Sequence, residues 1–166
     1  VDSCRTCENC QEGLEQYCLN GNTGTYNSLE QDKKTPTYGG YSNTIVVHED
    51  FVLRISDQLN LAAVAPLLYA GFTPYSPLKH WKVGKGRKLA VVGFGGLGHM
   101  AVKVGVAFGD DVTVLSTSPE KEADARKLGA HHFIVTKDVD QFKAAKNSFD
   151  FILDTVSAPH DVNSYL

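Results

Sequence analysis

Beyond Cys18 this chain of 166 residues has no cysteine, and all four of its cysteines fall between Cys4 and Cys18. Disulfides among them would close only a small loop. That excludes a disulfide-framed secreted fold and, in a composition of cytoplasmic kind, favours a metal over an oxidising compartment. No apolar run approaches the roughly 18 residues that a membrane-spanning helix needs, so no membrane partner is expected. Basic residues are not in excess: a net charge of −3 argues against nucleic acid as the main partner. The first residues are polar and cysteine-rich, unlike a secretory leader. Only one methionine occurs, Met100, and the chain begins at Val1, which together predict a fragment or a processed product. What is present, 42% hydrophobic and 21% charged residues, suits a soluble globular chain long enough to bury a sizeable core.

The cysteines follow the pattern C-x2-C-x2-C-x7-C at Cys4, Cys7, Cys10 and Cys18. Four thiolates close a tetrahedron around zinc and leave no position for a substrate, so such a site is structural. It would pin a loop in which only Leu14, Tyr17 and Leu19 can pack. An iron–sulfur cluster is the main rival, but its bacterial run continues with x3 and a proline, and this one has x7 and no proline. A two-disulfide knot is the third reading.

The centre of the chain is residues 89–103, Leu-Ala-Val-Val-Gly-Phe-Gly-Gly-Leu-Gly-His-Met-Ala-Val-Lys. An apolar strand, Leu89 to Val92, meets a G-x-G-x-x-G turn at Gly93, Gly95 and Gly98. A helical apolar pattern follows at Leu97, Ala101, Val102, Val104 and Phe108. Gly93 permits the tight turn, Gly95 lets a pyrophosphate approach the backbone, and Gly98 lets helix and strand pack closely. Free N–H groups and the positive end of the helix dipole then face the phosphates. The plainer reading is a glycine-rich turn in some other strand–helix unit.

Around this centre the remaining elements read in order. Residues 20–44 are rich in glycine, asparagine, threonine and tyrosine, with a loop tip at Lys33-Lys34-Thr35-Pro36. Residues 44–47 and 51–55 are β-branched and predict two short strands, with His48 a solvated turn residue between them. Residues 59–80 predict two helical segments with a bend, because Pro66, Pro74 and Pro77 forbid one straight helix. Past the glycine turn, Gly109 ends the first helix and residues 112–115 form a second strand. Ser118 caps the next helix, with Pro119 in its first turn, and Gly129 stops it. Strands at 133–135 and 149–154 flank a weak helix at 139–146. The βαβαβαβ order implies a parallel sheet with right-handed crossovers, the first half of a doubly wound dinucleotide fold and one strand more.

At the end of the second strand, where an NAD site presents a carboxylate to the ribose 2′-hydroxyl, the sequence reads Ser116-Thr117-Ser118-Pro119-Glu120-Lys121. Hydroxyl donors and a cation suit a 2′-phosphate, so NADP is favoured over NAD. Glu120 turning inward to the ribose is the competing arrangement. A hydroxyl row serving only as a helix cap, with Lys121 solvated, is the plainer one. His99 is read as a packing residue, His131 and His132 as non-ligands, and His80 and His160 as surface or helix-end residues.

Taken together these motifs resemble the zinc-dependent medium-chain alcohol dehydrogenases, and more narrowly the cinnamyl alcohol dehydrogenase group with its bacterial aldehyde-reductase relatives. Besides the cysteine and glycine motifs, the resemblance rests on Thr37-Tyr38-Gly39-Gly40-Tyr41-Ser42, Ala65-Pro66-Leu67-Leu68, Ala70-Gly71, Thr73, Tyr75 and Pro77, and residues 112–121. It implies an α/β chain: a partial GroES-like catalytic domain with a structural-zinc loop over residues 1–68, then a partial NADP-binding Rossmann domain over 69–166. Cys4, Cys7, Cys10 and Cys18 would hold structural zinc. Gly93, Gly95, Gly96, Leu97 and Gly98 would hold the pyrophosphate, Ser116, Thr117, Ser118 and Lys121 would select NADP, and Thr73 would lie near the nicotinamide. The implied reaction is reversible hydride transfer between NADP(H) and an alcohol or aldehyde, in a cytoplasmic enzyme that is a homodimer when complete. A catalytic zinc acts as Lewis acid in that family.

In three places the sequence departs from the family. The upstream cysteine and His-Glu ligands of the catalytic zinc are absent, Tyr69 stands where the remaining catalytic cysteine belongs, and the last Rossmann strands are missing. A phenol is a poor zinc ligand beside a thiolate, so no catalytic residue is intact. The alternative to an alcohol dehydrogenase is therefore a non-catalytic NADP-binding protein with a structural zinc only. A zinc module for protein or nucleic-acid contact is a third class, opposed by the acidic balance.

Overall fold

The computed structural model describes residues 1–166, which form two compact units, Val1–Asp57 and Gln58–Leu166. In the first unit a single helical turn, α1 (Glu8–Gln11), and a 3₁₀ turn at Glu15–Tyr17 carry the cysteine loop. A short antiparallel hairpin follows, β1 (Tyr26–Leu29) with β2 (Pro36–Tyr38). Its tip is the expected loop, and Lys33 takes a positive φ of 59° there. The hairpin itself is not apparent in the sequence, because one strand starts at a proline and the other is bulged between Tyr26 and Ser28. Buried Thr37 ties the hairpin to the loop before it, donating its hydroxyl to the Gly24 carbonyl at 2.9 Å.

The two strands expected at 44–47 and 51–55 do not form. Glu49–Phe51 is a 3₁₀ turn instead, and the His48 ring accepts the Asp50 N–H at 3.3 Å. Val46 and Leu53 are 93% and 77% exposed. β-branched residues make a strand only where a neighbouring strand and a buried face receive them, and neither is present here.

The second unit is a parallel sheet. A single helical turn, α2 (Leu61–Val64), runs into a 3₁₀ turn at Ala65–Leu68 and is followed by α3 (Phe72–His80). The region has the expected two segments, but the break falls at residues 69–71, and of the three prolines only Pro66 sits in the first segment, while Pro74 and Pro77 lie within α3. Then come β3 (Lys88–Val92), α4 (Gly96–Phe108), β4 (Asp111–Ser116), α5 (Glu122–Lys127), β5 (His132–Val135), α6 (Val139–Ala144) and β6 (Phe151–Asp154). The strand order is β5-β4-β3-β6, all parallel, which is the 3-2-1-4 order of a dinucleotide-binding half with one strand beyond it.

β3 is buried on both faces, which is why it reads as a continuous apolar run. Leu89 and Val91 join Ala101, Val102, Val112, Val114, Ala125 and Leu78 in the larger core, on one face of the sheet. Ala90 and Val92 turn the other way, to Leu115, Ile134, Phe149 and Ile152. Helices α4 and α5 both stop in the same way. Gly109 and Gly129 take left-handed φ values of 86° and 99°, and the following N–H, of Asp110 or Ala130, bonds back to the carbonyl of Gly105 or Ala125. Ser118 does not act as the expected side-chain cap: its own N–H goes to the Ser116 hydroxyl at 3.2 Å, and Pro119–Lys121 opens α5 as a 3₁₀ turn. No helix is long and apolar enough to cross a membrane.

Candidate cofactor and metal sites

In the first unit the sulfur atoms of Cys4, Cys7, Cys10 and Cys18 all lie within 4.8 Å of one another. A tetrahedral zinc with Zn–S bonds of about 2.3 Å has sulfur–sulfur edges of about 3.8 Å. The separations of 4.0 Å for Cys4–Cys10 and 3.5 Å for Cys7–Cys10 straddle that value. They are far from a bonded disulfide, and all four thiols are free. A multi-iron cluster distributes the four cysteines over two or more irons and spreads the sulfurs apart, so the compact set fits one ion.

The backbone around the cluster is arranged for thiolates. The N–H groups of Cys7, Leu19 and Cys4 point at the sulfurs of Cys4, Cys7 and Cys18 at 3.4 to 3.5 Å. The Thr6 backbone N–H and hydroxyl, with Cys7, lower the Cys4 thiol to about 5, and the Leu19 and Cys10 backbone lowers Cys7. At Cys10 the Ser3 hydroxyl pulls downward, but burial and the neighbouring thiols outweigh it and push the group up to about 11. A dication at the centre would hold all four sulfurs as thiolates.

In the second unit the glycine turn joins β3 to α4. Gly93 has φ +85°, and a Cβ there would lie 2.6 Å from Val156 Cγ2. A Cβ on Gly98 would collide with the Gly93 carbonyl, which is the close helix–strand approach expected from the spacing. Gly95 is different: it is exposed, and nothing lies within 4 Å of where its Cβ would be. The turn is thus tight against the protein at Gly93 and Gly98 and open to the outside at Gly95, and Gly96 and Leu97 begin the helix beyond it. This cradle suits a pyrophosphate at the N-terminus of a thirteen-residue helix.

Other predicted residues converge on the turn or stay apart from it. Lys121 reaches back and donates to the Phe94 carbonyl at 3.4 Å, so its ammonium stands over the turn. Ser116 is buried at the end of β4, whereas Thr117 and Glu120 are exposed and Ser118 is half-buried. His99, read as a packing residue, stacks on Phe94 with ring centroids 4.0 Å apart, and its Nδ1 donates to the Gly95 carbonyl at 2.7 Å. Thr73 lies on α3, exposed, with its hydroxyl donating to the Tyr69 carbonyl at 2.8 Å, just before its own helix.

Tyr69 is 74% exposed, and apart from the four cysteines no three ligating side chains bring all their donor atoms within mutual reach. The residues present therefore do not fit a catalytic zinc. His131 and His132 instead flank the start of β5, where both approach Asp111, and His131 Nδ1 accepts the Val112 N–H at 3.0 Å.

A family profile described as zinc-binding dehydrogenase matches residues 96–166. The chain is 57% identical to NADP-dependent alcohol dehydrogenase C 1 of Mycolicibacterium smegmatis, over 100% of this chain and 48% of that protein. Among solved structures it is similar to a cinnamyl alcohol dehydrogenase from Sorghum bicolor, with a TM-score of 0.88 at 48% identity, over 99% of this chain and 47% of that one. It is also similar to a cinnamyl alcohol dehydrogenase from Helicobacter pylori complexed with NADP(H), with a TM-score of 0.83 at 45% identity, over 100% of this chain and 46% of that one. The chain spans about half the length of the curated relatives it matches.

Proposed function

The chain belongs to the zinc-binding medium-chain alcohol dehydrogenases of the cinnamyl alcohol dehydrogenase kind, and on that premise we propose that it binds NADP(H) at the glycine turn and one structural zinc at its four cysteines. The observation that carries the reading is the open cradle at Gly95 with the Lys121 ammonium above it. Gly93, Gly95, Gly96, Leu97 and Gly98 take the pyrophosphate. Ser116, Thr117, Ser118 and Lys121 take the 2′-phosphate, which a lysine and hydroxyl donors favour and a carboxylate would repel. Thr73 faces the nicotinamide once the cofactor is bound. Cys4, Cys7, Cys10 and Cys18 hold the zinc, which stiffens a loop with almost no apolar core.

Residues 1–68 are the end of the catalytic domain in this reading, and 69–166 the beginning of the NADP-binding domain. The whole enzyme transfers a hydride between NADP(H) and a small alcohol or aldehyde, as a cytoplasmic homodimer. These 166 residues by themselves bind the cofactor without turning over, because Tyr69 replaces a catalytic ligand and no second ligand set accompanies it. Bound NADP supplies the hydride acceptor, and this chain's part is to hold and select it.

Zinc content and cofactor titration of the purified chain test the reading. One zinc per chain, NADPH bound more tightly than NADH, and no alcohol oxidation are expected. Lys121→Glu should weaken NADPH by about tenfold or more and leave NADH nearly unchanged, as expected when a charge-assisted phosphate contact becomes a repulsion. Two zincs with turnover would replace this reading by that of an active dehydrogenase. Tighter binding of NADH would remove the NADP assignment.

A further inference from the structure

His160 reads as a surface residue in the sequence, but its side chain is only 22% exposed and both ring nitrogens are engaged. Nε2 is 2.7 Å from Asp154 Oδ2, and Nδ1 is 2.8 Å from the Ala158 carbonyl. A carboxylate and a carbonyl only accept, so both nitrogens must carry protons: the bonding pattern is that of an imidazolium. Asp154 closes β6, and its other oxygen accepts the Val156 N–H at 2.9 Å. Between these bonds lies the segment that backs the glycine turn. The Thr155 N–H and hydroxyl both donate to the Val92 carbonyl, at 3.0 and 2.8 Å, and the hydroxyl also reaches the Gly93 carbonyl at 3.4 Å. Val156 Cγ2 fills the space a Cβ on Gly93 would need.

We propose that the Asp154–His160 pair is a latch that positions Thr155 and Val156 behind the glycine turn, so that NADPH affinity follows the charge on His160. The proposal rests on the NADP-binding reading above and adds Asp154 and His160 as residues that act on the glycine turn through Thr155 and Val156. The titratable groups facing the ring are Asp154 at the end of β6, Asp161, which caps a closing 3₁₀ turn at Val162–Tyr165, and Tyr165 at the end of that turn, whose ring centroid is 6.0 Å away. The Ala158 carbonyl and Asp154, with Asp161 beyond, hold the imidazole above its ordinary 6.5, and burial keeps the Tyr165 phenol neutral through the same range. A group whose pKa is raised on folding gives its stabilisation in full below its unfolded value. That stabilisation is lost as pH rises through the folded value. The latch is therefore tightest below pH 6.5 and loosens as pH rises through the raised value, where the neutral imidazole keeps a single N–H.

The test uses the full chain, with NADPH as the probe, in wild type, His160→Ala, His160→Gln and Asp154→Asn. NMR titration should show the wild-type imidazole ionising above 6.5, and lower in Asp154→Asn. Near pH 6, His160→Ala should bind NADPH about fivefold more weakly than wild type, the scale of a partly exposed ion pair, and near pH 9 the gap should be narrower, because the neutral imidazole keeps only a single N–H. His160→Gln keeps a donor for Asp154 at every pH and should recover part of the affinity without the pH dependence. The cofactor's own phosphate titration is common to all variants and cancels in these ratios. Equal affinities at both pH values, or a gap that does not change with pH, would overturn the latch. If wild type binds no NADPH at all, the NADP reading fails, and the latch is then judged by amide exchange at Thr155 and Val156. Faster exchange in His160→Ala near pH 6 would support it, and unchanged exchange would overturn it.

Discussion

Asp110 sits where α4 hands over to β4, 2% exposed, with neither carboxylate oxygen reaching a donor. Its backbone N–H has work to do, closing the end of α4 on Gly105, but its side chain does not. Burial raises its carboxyl above the ordinary 3.8, because the charged form has lost its water without gaining a partner. The folded chain then binds more protons than the unfolded one as pH rises from that ordinary value through the raised one, and stability falls across the interval. Asp110→Asn removes the charge. The variant should be more stable than wild type by about 1 kcal/mol near pH 7, the low end for relieving an unpaired buried group, and should match it near pH 4. Thermal melts at the two pH values check this, and an equal shift at both would show that charge is not the cause.

Two glycines in one turn make opposite demands on the element joining β3 and α4. At Gly98 the space is taken by the backbone of Gly93; at Gly95 it is open. Gly98→Ala forces helix and strand apart and should cost about 1–3 kcal/mol of stability, the range for overpacking, together with cofactor binding. Gly95→Ala should leave the melting temperature nearly unchanged and still weaken NADPH, since a methyl there meets ligand rather than protein. Melting curves and NADPH titrations of both variants separate the two roles. Loss of stability in Gly95→Ala, or its unaltered binding of NADPH, would count against the open cradle.

For the whole molecule the division into two compact units makes the metal and the nucleotide separable. The first unit has little apolar interior, with Cys10 and Cys18 among its few buried apolar side chains, whereas the second has apolar clusters on both faces of its sheet. Removing zinc with a strong chelator under reducing conditions should therefore loosen residues 1–57 and leave NADPH binding by residues 58–166 largely in place. Amide exchange by segment, run beside an NADPH titration, reads both. Loss of nucleotide binding together with the metal would mean that the two units fold as one.

Patterns that stand alone in the chain were legible without coordinates. The four parallel strands, the helix behind the glycine turn, its left-handed stop at Gly109 and the cysteine cluster follow from local rules: apolar runs, glycines at fixed offsets, and thiols too close in sequence to be far apart in space. Features that depend on a distant partner were not legible. Residues 44–55 have the composition of strands and find no sheet to join. The 26–38 hairpin, with one bulged strand and one that starts at a proline, forms all the same, with Thr37 tied to Gly24 in the loop before it. His160 becomes part of a charged pair only because the turn after β6 brings it back to Asp154, and that turn is held against Val92 and Gly93, more than sixty residues earlier. Sequence settles the elements whose bonds are local. The tertiary structure decides those whose stability, or charge, is supplied from elsewhere in the chain.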